Sequence, residues 1–138
     1  MADKNAYRIK LPGLDERHQA YRLALAYRVG DLVFTSGQLG IDDDGNMAGA
    51  NNYDKQVEQV FANLDRVLKA AGSGNDKIIR TTVYQTNIRN LPRFVELRGK
   101  YLKAPYPAST QVAITMLGHP QAMIEIDAIA LVEGEIVN

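Results

Sequence analysis

Between Pro107 and Leu131 the chain alternates between apolar and polar positions in two runs, P-A-S-T-Q-V-A-I-T-M and A-M-I-E-I-D-A-I-A-L, separated by Leu117-Gly118-His119-Pro120. A period of two predicts two strands whose successive side chains point to opposite faces, and the break between them is rich in turn formers. In the first run Val112, Ile114 and Met116 share an apolar face, leaving Ser109, Gln111, Ala113 and Thr115 on the other. In the second, Ile124, Ile126, Ala128 and Ala130 lie opposite Glu125, Asp127, Ile129 and Leu131. Two carboxylates on a face that continues with Ile129 and Leu131 are either solvated near one end of the strand or line a pocket.

Earlier in the chain, residues 1–18 are weakly patterned, and the alternation of Tyr7 to Leu11 predicts a short edge strand ended by Pro12-Gly13. Tyr21, Leu23, Leu25 and Tyr27 then alternate with Arg22, Ala24, Ala26 and Arg28. Gly30-Asp31 supplies a turn, and Leu32 to Gln38 reads as the returning strand of a hairpin, its apolar run Leu32 to Phe34 suggesting burial on both faces. Val57, Val60, Phe61, Leu64, Val67, Leu68 and Ala71 recur at helical spacing, with Asp54 near the start and Gly72 just past the end. Lys77 to Thr86 has the β-favouring composition of a strand. Asn90 as a cap, Pro92 in the first turn and Phe94, Leu97 and Tyr101 at helical spacing predict a second, shorter helix.

That order predicts an α+β sandwich, with one mixed sheet of about six strands and two helices on one face. The other face would carry Ser109, Gln111, Ala113 and Thr115 beside Glu125, Asp127, Ile129 and Leu131, too apolar in part to sit in water. Self-association is the economical way to cover it.

Composition narrows the field. A chain of 138 residues, 46% hydrophobic and 23% charged, fits one globular domain over residues 1–138 that buries roughly two-thirds of its unfolded surface. Sixteen basic and sixteen acidic residues cancel, which counts against nucleic acid as a partner. The absence of cysteine excludes disulfides, thiolate catalysis and cysteine-ligated zinc. The polar start Met1-Ala2-Asp3-Lys4-Asn5 and the lack of a long apolar run predict a cytoplasmic protein with no membrane segment.

Few residues invite chemistry. Glu125 and Asp127, two apart on one strand, lie about 6.6 Å from each other, a spacing that serves either an acid/base pair or a strand end neutralised by a neighbouring cation. Ser36-Gly37-Gln38 after an apolar strand is either a strand terminator with a bend at Gly37 or one wall of a pocket. Asp42-Asp43-Asp44-Gly45-Asn46 lacks the ligand spacing of a calcium loop and reads as a solvated turn. His18 and His119 are the only histidines, too few for a metal site, and Ser36 has no histidine near it in sequence to complete a hydrolytic triad. No cofactor is implied.

The order of Gly30 to Gln38, Ala70-Ala71-Gly72, Thr81-Thr82-Val83, Asn90-Leu91, Pro107-Ala108 and Glu125-Ile126-Asp127-Ala128-Ile129-Ala130 resembles that of the RidA/YjgF family over roughly Tyr21 to Leu131. Those proteins are enamine/imine deaminases and their relatives, with L-PSP endoribonuclease among their older names. The resemblance implies a chorismate-mutase-like fold, a homotrimer with sheets around a central barrel, and small-molecule pockets between subunits. It assigns Glu125 the handling of a water or proton, and makes Ser36, Gly37, Ser109, Gln111 and Tyr21 candidate ligand-side residues, with Tyr27 competing with Tyr21 for one pocket position. Active deaminases of the family read Pro-Ala-Arg-Ser where this chain reads Pro107-Ala108-Ser109-Thr110, and a pocket asparagine falls at Val95. A serine cannot reproduce the paired donors of a guanidinium, so weak binding of small 2-oxo acids and slow 2-imino acid hydrolysis are expected unless another cation, Arg22 or Arg28, takes over.

Three functions follow: a deaminase acting on an imine or enamine, a non-catalytic ligand-binding or regulatory trimer, and the endoribonuclease or translation inhibitor of the older names. The arginine's absence moves weight from the first to the second. The charge balance counts against the third.

Overall fold

Two alternating runs, Ile78–Gln85 and Ile124–Leu131, pair antiparallel at the centre of one mixed sheet. The computed structural model describes residues 3–138, so the reading of Met1 and Ala2 lies outside it. Its strands are β1 (Ala6–Arg8), β2 (Ala26–Val29), β3 (Leu32–Thr35), β4 (Gln38–Leu39), β5 (Ile78–Gln85), β6 (Ala108–Ala113) and β7 (Ile124–Leu131). Its helices are α1 (Leu14–Ala20), α2 (Tyr53–Ala70) and α3 (Leu91–Arg98). The sheet runs β1-β2-β3-β7-β5-β6, with the short β4 on β7 beyond the end of β3 and the β5–β6 pair parallel.

The apolar stripe of α2 is buried as its spacing predicts, against Ile124, Ile126, Ala128 and Ala130 of β7 and Val33 and Val83 of the neighbouring strands. Asn52 caps the helix by accepting from the Lys55 N–H at 3.1 Å, and Gly72, at φ 83°, turns the chain out of it. Phe61 of α2 stacks on Phe94 of α3 and on Tyr101, with centroids 6.3 and 4.7 Å apart, which fixes α3 beside α2 on the same side of the sheet.

Several expectations need correction. The sheet has seven strands where about six were expected, six on its main path with β4 off it, and a third helix is present because residues 14–20 form α1. That helix buries Leu14 and ties to β1 through the Arg8–Asp15 ion pair at 2.9 Å. Tyr21 to Leu25 is not strand: the His18 carbonyl takes both the Tyr21 and Leu23 N–H groups, Arg22 sits at φ 61°, and the strand begins only at Ala26. Leu32 to Phe34 is not buried on both faces, since Phe34 is 42% exposed. β6 stops at Ala113, short of Ile114 and Met116; its Val112 is exposed on an edge strand that pairs only with β5, and Met116 is exposed beyond the strand's end.

The correction that matters most concerns the relative facing of the last two strands. Thr81 of β5 is in register with Ser109 on one side and Ala128 on the other, whereas Tyr84 is in register with Val112 and Glu125. Residues directly opposite each other share a face. Ser109 and Gln111 therefore lie on the helix-covered face, and Glu125 and Asp127 lie on the opposite, uncovered one. That uncovered face carries Tyr27, Phe34, Ile129, Thr82, Tyr84 and Val112, partly apolar as expected but with other members. Among the described residues no helix is long and apolar enough to cross a membrane.

Candidate functional site

Glu125 is placed by the short β4 strand, and β4 is placed by α2. Asn63, buried on α2, donates from Nδ2 to the carbonyls of Leu39 and Ile41, each at 2.9 Å. Gln56, two turns earlier on the same face of α2, donates to the Gln121 carbonyl and accepts from the Met123 N–H, both at 2.8 Å, which pins the approach to β7. Gly40 fits against the Gln56 backbone, where a Cβ would stand 3.1 Å from the carbonyl oxygen. Two buried amides thus act as partners for backbone that the ladder leaves unpaired.

Gly37 precedes β4 and lies directly against the Glu125 side chain; a Cβ there would come 2.8 Å from the Glu125 carboxyl carbon and closer still to Oε1. No described residue hydrogen-bonds to that carboxylate. Burial, and secondly the Asp127 charge on the same strand face, push the Glu125 carboxyl above its ordinary value. Across the strand pair, the Asp127 charge in turn raises the Tyr84 phenol. Ser36 beside Gly37 has its hydroxyl committed: Oγ donates to the Ala24 carbonyl at 2.6 Å while its N–H donates to Leu25 O at 2.8 Å. That double tie holds the 24–25 segment against the strand end.

The helix-covered face carries a separate cleft of about 460 Å³ between β6 and α3. Thr81, Ser109 and Gln111 form its sheet wall, and Val95, Arg98, Leu102 and Tyr106 form the other side. Thr81 Oγ1 donates to Ser109 Oγ at 2.9 Å. Behind them runs a buried polar chain: the Tyr53 hydroxyl donates to Gln85 Oε1 at 2.6 Å, and Gln85 Nε2 donates to Gln111 Oε1 at 3.1 Å. Burial pushes the Tyr53 phenol far above its ordinary value, so it stays protonated.

The candidates thus divide. The structure brings Gly37 and Glu125 together with Ser36 alongside, and it brings Ser109 and Gln111 together, but on opposite faces of the sheet. Tyr21 stands apart in the turn after α1, 77% exposed, and Tyr27 faces the uncovered side beside Phe34. Neither Arg22 nor Arg28 lines the cleft, and Arg28 donates to the Gly30 carbonyl instead. Val95 does line it. The Asp42 turn is a local hydrogen-bonded loop in which Asp42 Oδ1 accepts from the Asp44 and Asn46 N–H groups. Sequence reasoning missed Thr81, Gln85, Tyr53 and Arg98. The visible signal was Thr81, Val83 and Gln85 sharing one strand face, which sets two polar residues on the side that packs under the helices.

Comparisons with known proteins agree with this architecture. The family model described as Endoribonuclease L-PSP matches residues 16–132. A RutC family protein of Saccharolobus solfataricus is 34% identical over 75% of this chain and 81% of its own length. Reactive Intermediate Deaminase A of the Arabidopsis thaliana chloroplast is 34% identical over 76% of this chain and 56% of its own. The crystal structure of a Rid-family protein from Yersinia pestis superposes with a TM-score of 0.83 at 31% identity, covering 92% of this chain and 99% of that one.

Proposed function

This chain belongs to the RidA/YjgF family, whose model is described as Endoribonuclease L-PSP, and on that premise we propose that it is an enamine/imine deaminase acting on a small metabolite in a pocket between the subunits of a cytoplasmic homotrimer. The observation that carries the reading is the Glu125 carboxyl. It lies against Gly37, unpartnered among the described residues, with its proton affinity raised by burial. A carboxyl so placed exchanges a proton nearer neutrality than an exposed one, as general acid/base work requires.

The chemistry is balanced with one carboxylate. With the substrate as its iminium, Glu125 takes a proton from water as the oxygen adds to the carbon, giving a neutral carbinolamine. The resulting carboxylic acid returns that proton to the amino nitrogen, and the C–N bond breaks as the hydroxyl proton passes to the Glu125 carboxylate. The carbonyl product and ammonia leave, the ammonia carrying that last proton away as ammonium. No redox step and no external reductant enter.

Assembly is supported by the facing of the strands. Glu125 and the Ser109 cleft lie on opposite sides of one sheet, so a ligand that touches both must bridge two copies. The uncovered, partly apolar face of β2, β3, β5 and β7 offers the contact surface. Ser109, at the position where the resemblance implies an arginine in active deaminases, supports the second reading, a trimer that binds its ligand without turning it over. The test is ammonia release from an imine generated in situ by an amino-acid oxidase. Acceleration by the wild type and its loss in Glu125→Gln support the deaminase. Equal rates with and without protein leave the binding reading in its place.

A further inference from the structure

Resting on the reading that the uncovered face of the sheet packs against other copies of this chain, we propose that Arg80 of one copy pairs with Asp127 of the next, and that this pair selects how the copies meet. Thr82 of β5 stands opposite Asp127 of β7, and Arg80 stands opposite Ile129, so Arg80 and Asp127 are diagonal neighbours on that face. Along the uncovered positions of β2, β3, β5, β6 and β7, Arg80 is the one cation, and Glu125 and Asp127 are the two carboxyls. Arg8 of β1, opposite Tyr27, is already held by Asp15.

The backbone of β5 departs from regular pairing to put Arg80 there. Ile78 is in register with Ala130 and Arg80 with Ile129, so Ile79 is an extra residue in β5, a β-bulge. Ile78 is 1% exposed, in the core, and strict alternation would set residue 80 on the same side of the sheet. The inserted residue keeps Ile78 inside and turns Arg80 out.

Within one copy none of these three charged side chains takes part in an ion pair among the described residues. Arg80 donates from Nη2 to Thr110 Oγ1 at 2.8 Å, toward β6 and away from β7. Asp127 has the Tyr84 phenol beside it, which its own charge holds in the protonated form, a neutral donor rather than a counter-ion.

A second copy laid on this face takes water from all three groups, and a charge buried there without a partner opposes association strongly. Identical chains resolve this by themselves. Each copy offers one Arg80 and one Asp127, so every contact around a closed ring of copies is satisfied once, by an arginine from one side and a carboxylate from the other. Glu125 remains as the carboxyl without a counter-ion, and burial already inclines it to keep its proton. The count therefore closes with one cation, one carboxylate and one acid left free to exchange a proton. The apolar members of the face supply adhesion in any orientation, whereas the charge pair is satisfied in one register only.

The experiment is sedimentation of the full chain over a concentration series, with far-ultraviolet spectra to check folding. The proteins are wild type, Arg80→Asp, Asp127→Arg, the swap Arg80→Asp/Asp127→Arg, and an equimolar mixture of the two single variants. Each single variant is expected to raise the concentration of half-dissociation at least about a hundredfold, and the swap to recover most of that loss. The mixture should assemble more tightly than either single variant alone, because contacts between unlike chains then join opposite charges. Where a charge reversal does not fold, Arg80→Gln and Asp127→Asn, singly and together, read the same coupling, and their effects on assembly should be less than additive. A wild-type assembly that none of these substitutions weakens, a swap no better than the single variants, or strict additivity in the neutral set overturns the pair and leaves the assembly reading standing. A swap that restores assembly while the mixture does not places the pair inside one chain and overturns the inference. A wild type that stays monomeric throughout removes both.

Discussion

Gly37 and Glu125 touch without any intervening atom: the backbone of one is the wall against which the carboxyl of the other rests. This contact explains a glycine between β3 and β4 better than backbone freedom does, since no positive φ is recorded there. A methyl group on residue 37 would have to displace the carboxyl or push β4 away from β7. Gly37→Ala is expected to cost about 1–3 kcal/mol, the range for overpacking a filled site, measured by urea denaturation. Ammonia release from an imine should fall further than that loss of stability explains, because the carboxyl itself moves. A variant with normal stability and normal turnover would show that the position of Glu125 does not matter.

Glu125 also ties stability to pH. Its folded-state pKa is raised, mainly by burial, above the ordinary value of about 4.3 for the unfolded chain. The folded protein therefore holds that proton more tightly than the unfolded one. The group's contribution is most favourable below the unfolded value, declines as pH rises between the two values, and is flat above the folded one. Glu125→Gln, which mimics the protonated acid, is expected to melt a few degrees higher than wild type at pH 8. That advantage should shrink as pH falls toward 4. Parallel melting curves across the whole range would remove the carboxyl as a buried, destabilising charge.

The buried chain Tyr53–Gln85–Gln111 should behave as a unit. Tyr53→Phe leaves Gln85 Oε1, in a fully buried side chain, without its donor, at a cost of about 1–3 kcal/mol. Gln85→Leu removes the acceptor as well, so the double variant Tyr53→Phe/Gln85→Leu should be less destabilised than the sum of the two singles. Denaturation of all four proteins gives the coupling. Strict additivity would mean that the hydroxyl and the amide act independently.

How far these features were legible in the sequence depended on their range. The α2 stripe, the Gly30-Asp31 turn, β5 and β7 follow from periodicity that each segment carries within itself. The carboxylate on β7 and the Ser36-Gly37-Gln38 segment stood out through the family resemblance rather than through periodicity. The pairing phase of β6 was not: whether Ser109 or Thr110 shares a face with Glu125 is set by the parallel register with β5, and neither strand encodes it alone. α1 was hidden because Leu14-Asp15-Glu16-Arg17-His18-Gln19-Ala20 buries only Leu14 and Asp15, too little to produce a periodic signal. Arg98 was passed over because on the helix it looks like an ordinary solvated residue after Leu97. Only the folding of β6 beside α3 makes it a wall of the cleft.

The uncovered face makes the strongest claim on assembly. Phe34 on β3 lies opposite Tyr27 on β2 and Ile129 on β7, and both aromatic rings are more than two-fifths exposed in the isolated chain. Burying large side chains of this kind contributes roughly 1.5–3 kcal/mol each, enough in sum to hold copies together once the polar members of the face find partners. The wild type is expected to elute and scatter light as a particle of about three times 15.3 kDa at micromolar concentration. Phe34→Asp places a charge at the centre of the row, where it would be buried without a counter-ion. Its expected outcome is a monomer that keeps the far-ultraviolet spectrum of the wild type, because residue 34 points away from the core. If a pocket between copies is where imines are hydrolysed, that monomer should lose turnover although Glu125, Gly37 and Ser109 are all unaltered. A wild type that is monomeric at that concentration, or a monomeric Phe34→Asp that retains full activity, would overturn the inter-subunit site.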